Sequence, residues 1–336
     1  MKPVLKKILK YLLSASLAVI LLWFSFRDVE WNKFIGALND VDWVFILMSM
    51  AVGSVAFWVR ALRWRRLLLP LDPSISRTTT FNGINIANIS NFVFPRIGEF
   101  VRCGVIVRRS NPVNPSAPNK KLASYDKVLG TVVLERSWEL LVMLLMLLIV
   151  IVGGVDRYGA FFVEKIWQPV SMKFGGYTWM MAIGALVLLA LGAYLVWYKR
   201  DKNRLCSKIW SIFRGVGQGF ATCVRMDHKW LFFAYTLLIW MLYWLMASCT
   251  MWAAPFLDNL NVMDALFLSL VGGLGFAVPV PGGIGAFHYV ISLALLGVYG
   301  IPMEVGVIYA TLSHTSQAIT QILFGAGSYA YEALKK

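Results

Sequence analysis

Six apolar runs, each close to the twenty or so residues that carry a helix across a bilayer, dominate this chain. They cover about 8–26, 43–60, 128–152, 178–198, 230–252 and 304–330. Of the 336 residues, 59% are hydrophobic and 15% charged, against about 45–50% and 25% in soluble domains. That is too little charge to dress soluble domains with a polar shell. The expected fold class is all-α: one polytopic transmembrane helix bundle over residues 1–336. The first run ends in Trp23, Phe24 and Phe26 rather than in a small-residue cleavage site, so it reads as an anchored span and not as a signal peptide.

The charge balance is 32 − 17 = +15. In a membrane protein such an excess reflects Lys and Arg retained in cytoplasmic loops, and no nucleic-acid-binding motif argues otherwise. Lys2, Lys6, Lys7 and Lys10 put the N-terminus inside. The acidic loop with Asp28, Glu30, Asp40 and Asp42 lies outside, and Arg60, Arg63, Arg65, Arg66 and Arg77 lie inside. The segment 96–127 is basic again, so both flanks of 79–95 are cytoplasmic. Residues 153–177 and 253–262 then fall outside, while 199–229 and the terminal Lys335 and Lys336 fall inside. The expected place is the cytoplasmic membrane of a bacterial-type cell. Four scattered cysteines indicate neither a disulfide framework nor a zinc site.

Two stretches do not fit a plain span. Residues 79–108 are interrupted at Pro95, and 262–300 at Pro279, Pro281, Gly282, Gly283 and Gly285. The first reads as a re-entrant hairpin. The second is either another hairpin or two short spans meeting at the Pro-Gly break. The total is six spans with two hairpins, or eight spans with one. Each break has a Pro, then an Ile-Gly pair (Ile97-Gly98 and Ile284-Gly285), then a Phe two residues on (Phe100 and Phe287). With opposite sidedness, this is the pattern of an inverted-topology repeat whose breaks meet near mid-membrane. Backbone freed from helical bonding cannot face lipid, so it lines a cavity or is buried in protein; a kink that only helps packing is the competing reading.

Ionisable residues inside the membrane cost about 2.5–3.5 kcal/mol each on insertion scales, so each needs a partner or water. Glu99 and Arg102 are three apart and can pair, leaving Arg96 for an anion; a basic cytoplasmic rim is the alternative. Glu135, Arg136 and Glu139 open the third long run, with Arg136 reaching Glu139 at i,i+3. Either they form a buried ion-pair network or they snorkel to the interface. Asn82, Asn85, Asn88 and Asn91 recur every three residues, for substrate contact or for hydrogen bonds to neighbouring helices. Thr311, His314, Gln317 and Gln321 share one sector of the last run, suited to lining a cavity, and His288 follows the second break. The arginines at 60–66 with Trp64 read as interfacial, able to hold lipid headgroups. Two histidines make no metal site, and no nucleotide-binding loop, Rossmann fingerprint or Ser-His-Asp set is present.

Four features together resemble the transmembrane region family of lysylphosphatidylglycerol synthases, a flippase-like family. They are Ala61-Leu62-Arg63-Trp64, the stretch from Asn91 through Pro95-Arg96-Ile97-Gly98-Glu99 to Arg102, the pair Glu135-Arg136, and Pro279-Val280-Pro281-Gly282-Gly283-Ile284-Gly285. The resemblance covers most of the chain. It implies a polytopic bundle with re-entrant helices that moves an aminoacylated phospholipid between leaflets. The family's synthetase is a separate soluble domain; with the chain ending at Lys336, neither that domain nor aminoacyl transfer is expected. Where family members often carry Glu three residues after the last Gly of the Pro-Gly-Gly motif, this chain has His288, a group that titrates near neutral pH.

The resulting expectation is a non-enzymatic, cofactor-free transporter of an anionic phospholipid or lipid-linked phosphate. Its candidate binding residues are Asn91, Arg96, Glu99, Arg102, Glu135, Arg136, Pro281, Gly282, Gly283, Gly285, His288, His314 and Gln317. Arg96 and Arg102 are expected to hold phosphate. The alternatives are a membrane-embedded enzyme acting on a lipid-linked phosphate or sugar, with Glu99, Glu135 or His288 as base, and a scaffold for a lipid synthase. No nucleic-acid partner is expected, and a homo-oligomer is left open.

Overall fold

The long apolar runs form helices whose ends are set by local chemistry. A computed structural model describes residues 16–27, 29–114, 117–154, 177–201 and 229–335, with isolated residues between 158 and 210. The part of the first run before Ser16 lies outside these. In chain order the helices are α1 (Ser16–Phe26), α2 (Trp31–Asn39), α3 (Trp43–Leu68), α4 (Arg77–Val93), α5 (Gly98–Arg109), α6 (Tyr125–Gly153), α7 (Thr178–Tyr198), α8 (Lys229–Trp252), α9 (Val262–Gly275), α10 (Ala286–Tyr299) and α11 (Met303–Leu334). The Asp42 carboxylate caps α3 by accepting from Val44 N–H at 2.9 Å. Ser76 Oγ does the same for α4 through Thr79 N–H. A reciprocal Asn261/Asp264 capping box opens α9, and Gly300, at φ 68°, ends α10. These caps satisfy the orphan groups at helix ends.

Among the described residues four helices are long and apolar enough to cross a membrane: α3, α6, α8 and the stretch Pro281–Tyr299 that includes α10. α7 carries no charged residue in its 21 positions. The expected all-α character holds except for one short antiparallel pair, β1 (Pro112–Asn114) and β2 (Ala117–Lys121), in the basic loop after α5. The wide outward display of large apolar side chains, such as Leu140, Leu144 and Leu148 on α6, far exceeds what water tolerates and suits lipid.

The chain divides into two units, Met1–Val132 with His228–Lys336, and Val133–Asp227. In the first, α3 packs along α8, and α11 packs against α3, α4 and α10. Both interrupted stretches are antiparallel helix–turn–helix hairpins, α4–α5 and α9–α10. Gly83 lies against Arg102 in one hairpin, and Gly272 against Phe287 in the other. A core cluster of Phe34, Ile46, Val307, Ile308 and Leu312 ties α2, α3 and α11 together with Ala253, just past α8. In the second unit, α6 and α7 continue the apolar pattern, and Arg136 pairs with Glu139 at 2.8 Å, the i,i+3 partner its spacing predicts.

The loop between α3 and α4 is organised by Asp72, fully buried. Its carboxylate accepts from Ser110 Oγ and Ser74 Oγ at 2.6 Å each, and from the N–H groups of Asn111 and Ser74 at 2.9 Å each. Burial pushes this carboxyl up, but the four hydrogen bonds outweigh it and hold it below the usual range. A folded-state pKa below the unfolded value, about 3.9, contributes stability above that value and loses it as pH falls through the lowered one. The thermal midpoint of wild type should therefore fall steeply below about pH 4. Asp72→Asn should already be low at neutral pH and should lack that acid limb, which thermal unfolding from pH 7 downward will read.

Candidate functional site

Both breaks are the same turn. In Phe94-Pro95-Arg96-Ile97 the Ile97 N–H donates to Phe94 O at 3.2 Å, and in Val280-Pro281-Gly282-Gly283 the Gly283 N–H donates to Val280 O at 3.2 Å. The residue after each Pro is left-handed, Arg96 at φ 60° and Gly282 at φ 59°. Proline presets the second position of such a turn, and the third favours glycine. Arg96 is the one described non-glycine residue with positive φ, a conformation that costs roughly 1–2 kcal/mol for a side chain with a Cβ. A strained position of this kind points to a use for its side chain.

That side chain crosses to the other break. Arg96 Nη2 donates to Ala277 O at 2.8 Å. Gly282 lies so close to Phe92 that an added Cβ would be 2.5 Å from the ring. The two hairpin turns therefore touch, as the meeting of breaks predicts. From the other side, His314 of α11 bonds Gly282 O through Nε2 at 2.9 Å, with its ring stacked on Phe276. The His288 ring, 5% exposed, lies 5.0 Å from that of His314, centroid to centroid. Gly283 (φ 77°) packs on Phe276, and Gly285 (φ 82°) on the backbone of α1 at Ala18 and Leu22. Ala18, Val280 and Ala286 form a small core there. α5 and α10 both begin at these turns, and α10 begins without a side-chain cap. Their first-turn N–H groups and N-terminal dipole ends favour negative charge.

The predicted residues thus fall into several places. Arg96, Pro281, Gly282, Gly283, Gly285, His288 and His314 come together. Asn91 is adjacent but structural: its Oδ1 accepts from Gly98 N–H at 2.8 Å and closes the first hairpin. Glu99, half-buried, opens α5, and its carbonyl accepts from Cys103 Sγ. Arg102 is turned away from the breaks. It is 1% exposed, with its guanidinium 4.5 Å from the centre of the Trp64 ring, so it packs on α3 while Arg96 meets the α9–α10 turn. Gln317 also faces α3, donating from Nε2 to Ser49 O and Oγ at 3.4 and 3.3 Å. Glu135 is fully buried on α6 and Arg136 pairs with Glu139 there, in the second unit.

The arginines at 60–66 lie on a helix and not in a loop. α3 runs on to Leu68, two turns past the end of the predicted run, and carries Arg60, Arg63 and Trp64 inside. Arg63 lies over Phe232 of α8, and Trp64 Nε1 donates to Thr131 Oγ1 at 3.0 Å. The asparagine stripe is mainly structural. Asn82 Nδ2 donates to Glu332 Oε1 at 2.8 Å and Asn85 Nδ2 to Ser328 Oγ at 3.4 Å. Glu332, which sequence reasoning missed, also binds Arg109 Nε at 2.8 Å. Its sole signal was a carboxylate at an otherwise apolar helix's basic end. Among the described residues no three or more His, Cys, Asp or Glu side chains converge as metal ligands would.

Apolar spanning helices joined to two broken hairpins that touch at their turns define a multi-pass membrane protein of the kind that shelters irregular backbone inside a bundle. The chain matches the model of the lysylphosphatidylglycerol synthase TM region over residues 8–325, nearly its whole length, and belongs to that family. No curated protein and no solved structure matches it.

Proposed function

We propose that the protein moves an anionic phospholipid or another lipid-linked phosphate between leaflets, and that the paired turns are where the headgroup passes. The observation that carries this reading is the bond from Arg96 to Ala277 O, which joins the two breaks through a cation held in a costly backbone conformation. Arg96 remains exposed, so its other donors are available to a phosphate, which guanidinium binds well. The N-termini of α5 and α10 add to the attraction. In this reading both hairpins are re-entrant and enter from opposite faces, with both termini of the chain cytoplasmic. The matching turns support an inverted repeat. Arg102, packed on Trp64, supports the first hairpin and does not itself bind phosphate. The family's name links it to lipid chemistry, and the chain carries no nucleotide-binding loop, so movement is passive or coupled to an ion.

Arg96→Gly is the cleanest test, because glycine relieves the positive φ while deleting the guanidinium. In proteoliposomes with acyl-labelled phosphatidylglycerol, wild type should exchange the label between leaflets. Losing a charge-assisted hydrogen bond worth about 1.5–3 kcal/mol should slow Arg96→Gly about tenfold or more. New product without exchange would instead favour a membrane-embedded enzyme. Neither exchange nor product across several headgroups would favour a scaffold.

A further inference from the structure

The two membrane histidines form a pair that the headgroup site alone does not explain. Their rings are 5.0 Å apart, and both are more than nine-tenths buried. A carbonyl oxygen only accepts, so the His314 Nε2 that meets Gly282 O carries a proton. In the neutral ring its Nδ1 is then the basic atom. Nδ1 of His288 is buried without a hydrogen-bond partner, an orphan that costs free energy unless something is bound there. Besides Gly282 O, three aromatic rings pack against the pair: Phe26 from α1, Phe276 at the end of α9 and Phe287 from α10. None of these is a carboxylate. Glu304, earlier on α11, accepts from the Glu30 N–H instead, and the charged side chain that reaches the second turn is Arg96 of the first, through Ala277 O.

We propose that the His288–His314 pair is a proton site, and that one proton is taken up there together with an anionic headgroup at the paired turns. Aromatic faces stabilise a cation, and the headgroup supplies the counter-charge that a buried imidazolium otherwise lacks. A second proton is opposed by the first, one ring away. Proton and anion then each favour the other's binding, by reciprocal linkage. Because His314 also holds Gly282 O, the bound proton turns that contact into a charge-assisted one and tightens the second turn. The protein would thus carry a proton with each lipid phosphate. This rests on the transport reading above.

The test uses full-length protein in phosphatidylcholine vesicles with acyl-labelled phosphatidylglycerol and a trapped pH dye. Exchange out of the leaflet on the acidic side should rise by up to about tenfold per pH unit, the limit for one linked proton, and the dye should report proton entry with the lipid. His288→Gln and His314→Gln should both abolish the pH response. Exchange that ignores the pH difference and moves no protons overturns the proton site and leaves lipid transport standing. Absence of exchange overturns the transport reading, and the proton site is then judged by nitrogen NMR in nanodiscs. With three histidines in the chain, His288 and His314 are readily assigned. Adding phosphatidylglycerol to phosphatidylcholine discs should shift one imidazole of the pair from neutral to cationic; unchanged neutral signals refute it.

Discussion

Gly285→Ala is expected to destabilise the protein by about 2–6 kcal/mol, from backbone strain and overpacking together. At φ 82° and ψ −53° the residue sits where side chains are strained. A Cβ there would also lie 2.6 Å from Ala18 O and 3.0 Å from Leu22 N, both backbone atoms of α1, which cannot rotate out of the way. Gly300→Ala separates the two contributions. Gly300 is also left-handed, at φ 68°, but a Cβ would have nothing within 4 Å, so its cost should be backbone strain alone, about 1–2 kcal/mol. Unfolding in mixed micelles, followed by tryptophan fluorescence, measures both. Equal losses for the two variants would mean that α1 does not press on the second turn.

Glu332→Ala should cost about 3 kcal/mol. The Glu332 carboxylate receives Asn82 Nδ2 on one oxygen and Arg109 Nε on the other. Arg109 also reaches the Glu332 and Lys335 carbonyls. The Arg109 and Glu332 side chains are 20% and 10% exposed, so this pair is far from a loose surface contact. Removing the acid strands a guanidinium among helix ends. Replacing both members, Arg109→Met with Glu332→Met, should recover much of the loss, because the stranded charge goes with its partner. A double-mutant cycle reads the coupling. Asn82→Ala should cost less, about 0.5–1.5 kcal/mol.

Much of this architecture was legible because hydrophobic length and Pro-Gly punctuation are local properties. The helices α6, α7, α8 and α11 follow the predicted runs within a few residues. Both breaks fall at the proline-containing turns, since proline cannot continue a helix and glycine supplies the left-handed position. That Arg96 occupies the glycine-like place in the first turn was not read from the sequence, because nothing local to an arginine marks a left-handed backbone. What stayed hidden is partner choice across the bundle. Asn82 and Glu332 are 250 positions apart, and nothing near either residue names the other. Arg102 was placed with Arg96 because both follow the first break. Helical rotation decides otherwise, turning Arg102 toward Trp64. The burial of Arg63 was hidden for a different reason: its charge suggested a loop, while α3 continues to Leu68 and turns it onto Phe232.

α11 touches both hairpins at well-separated points. His314 holds the second turn at Gly282, and Glu332 holds the first hairpin at Asn82 and Arg109. Eighteen residues of unbroken helix separate these grips, about 27 Å at 1.5 Å per residue. The helix thus works as a connecting rod. Displacing either hairpin must drag the rod or slip one of its two grips, so movement at the paired turns is mechanically geared to the far end of the first hairpin.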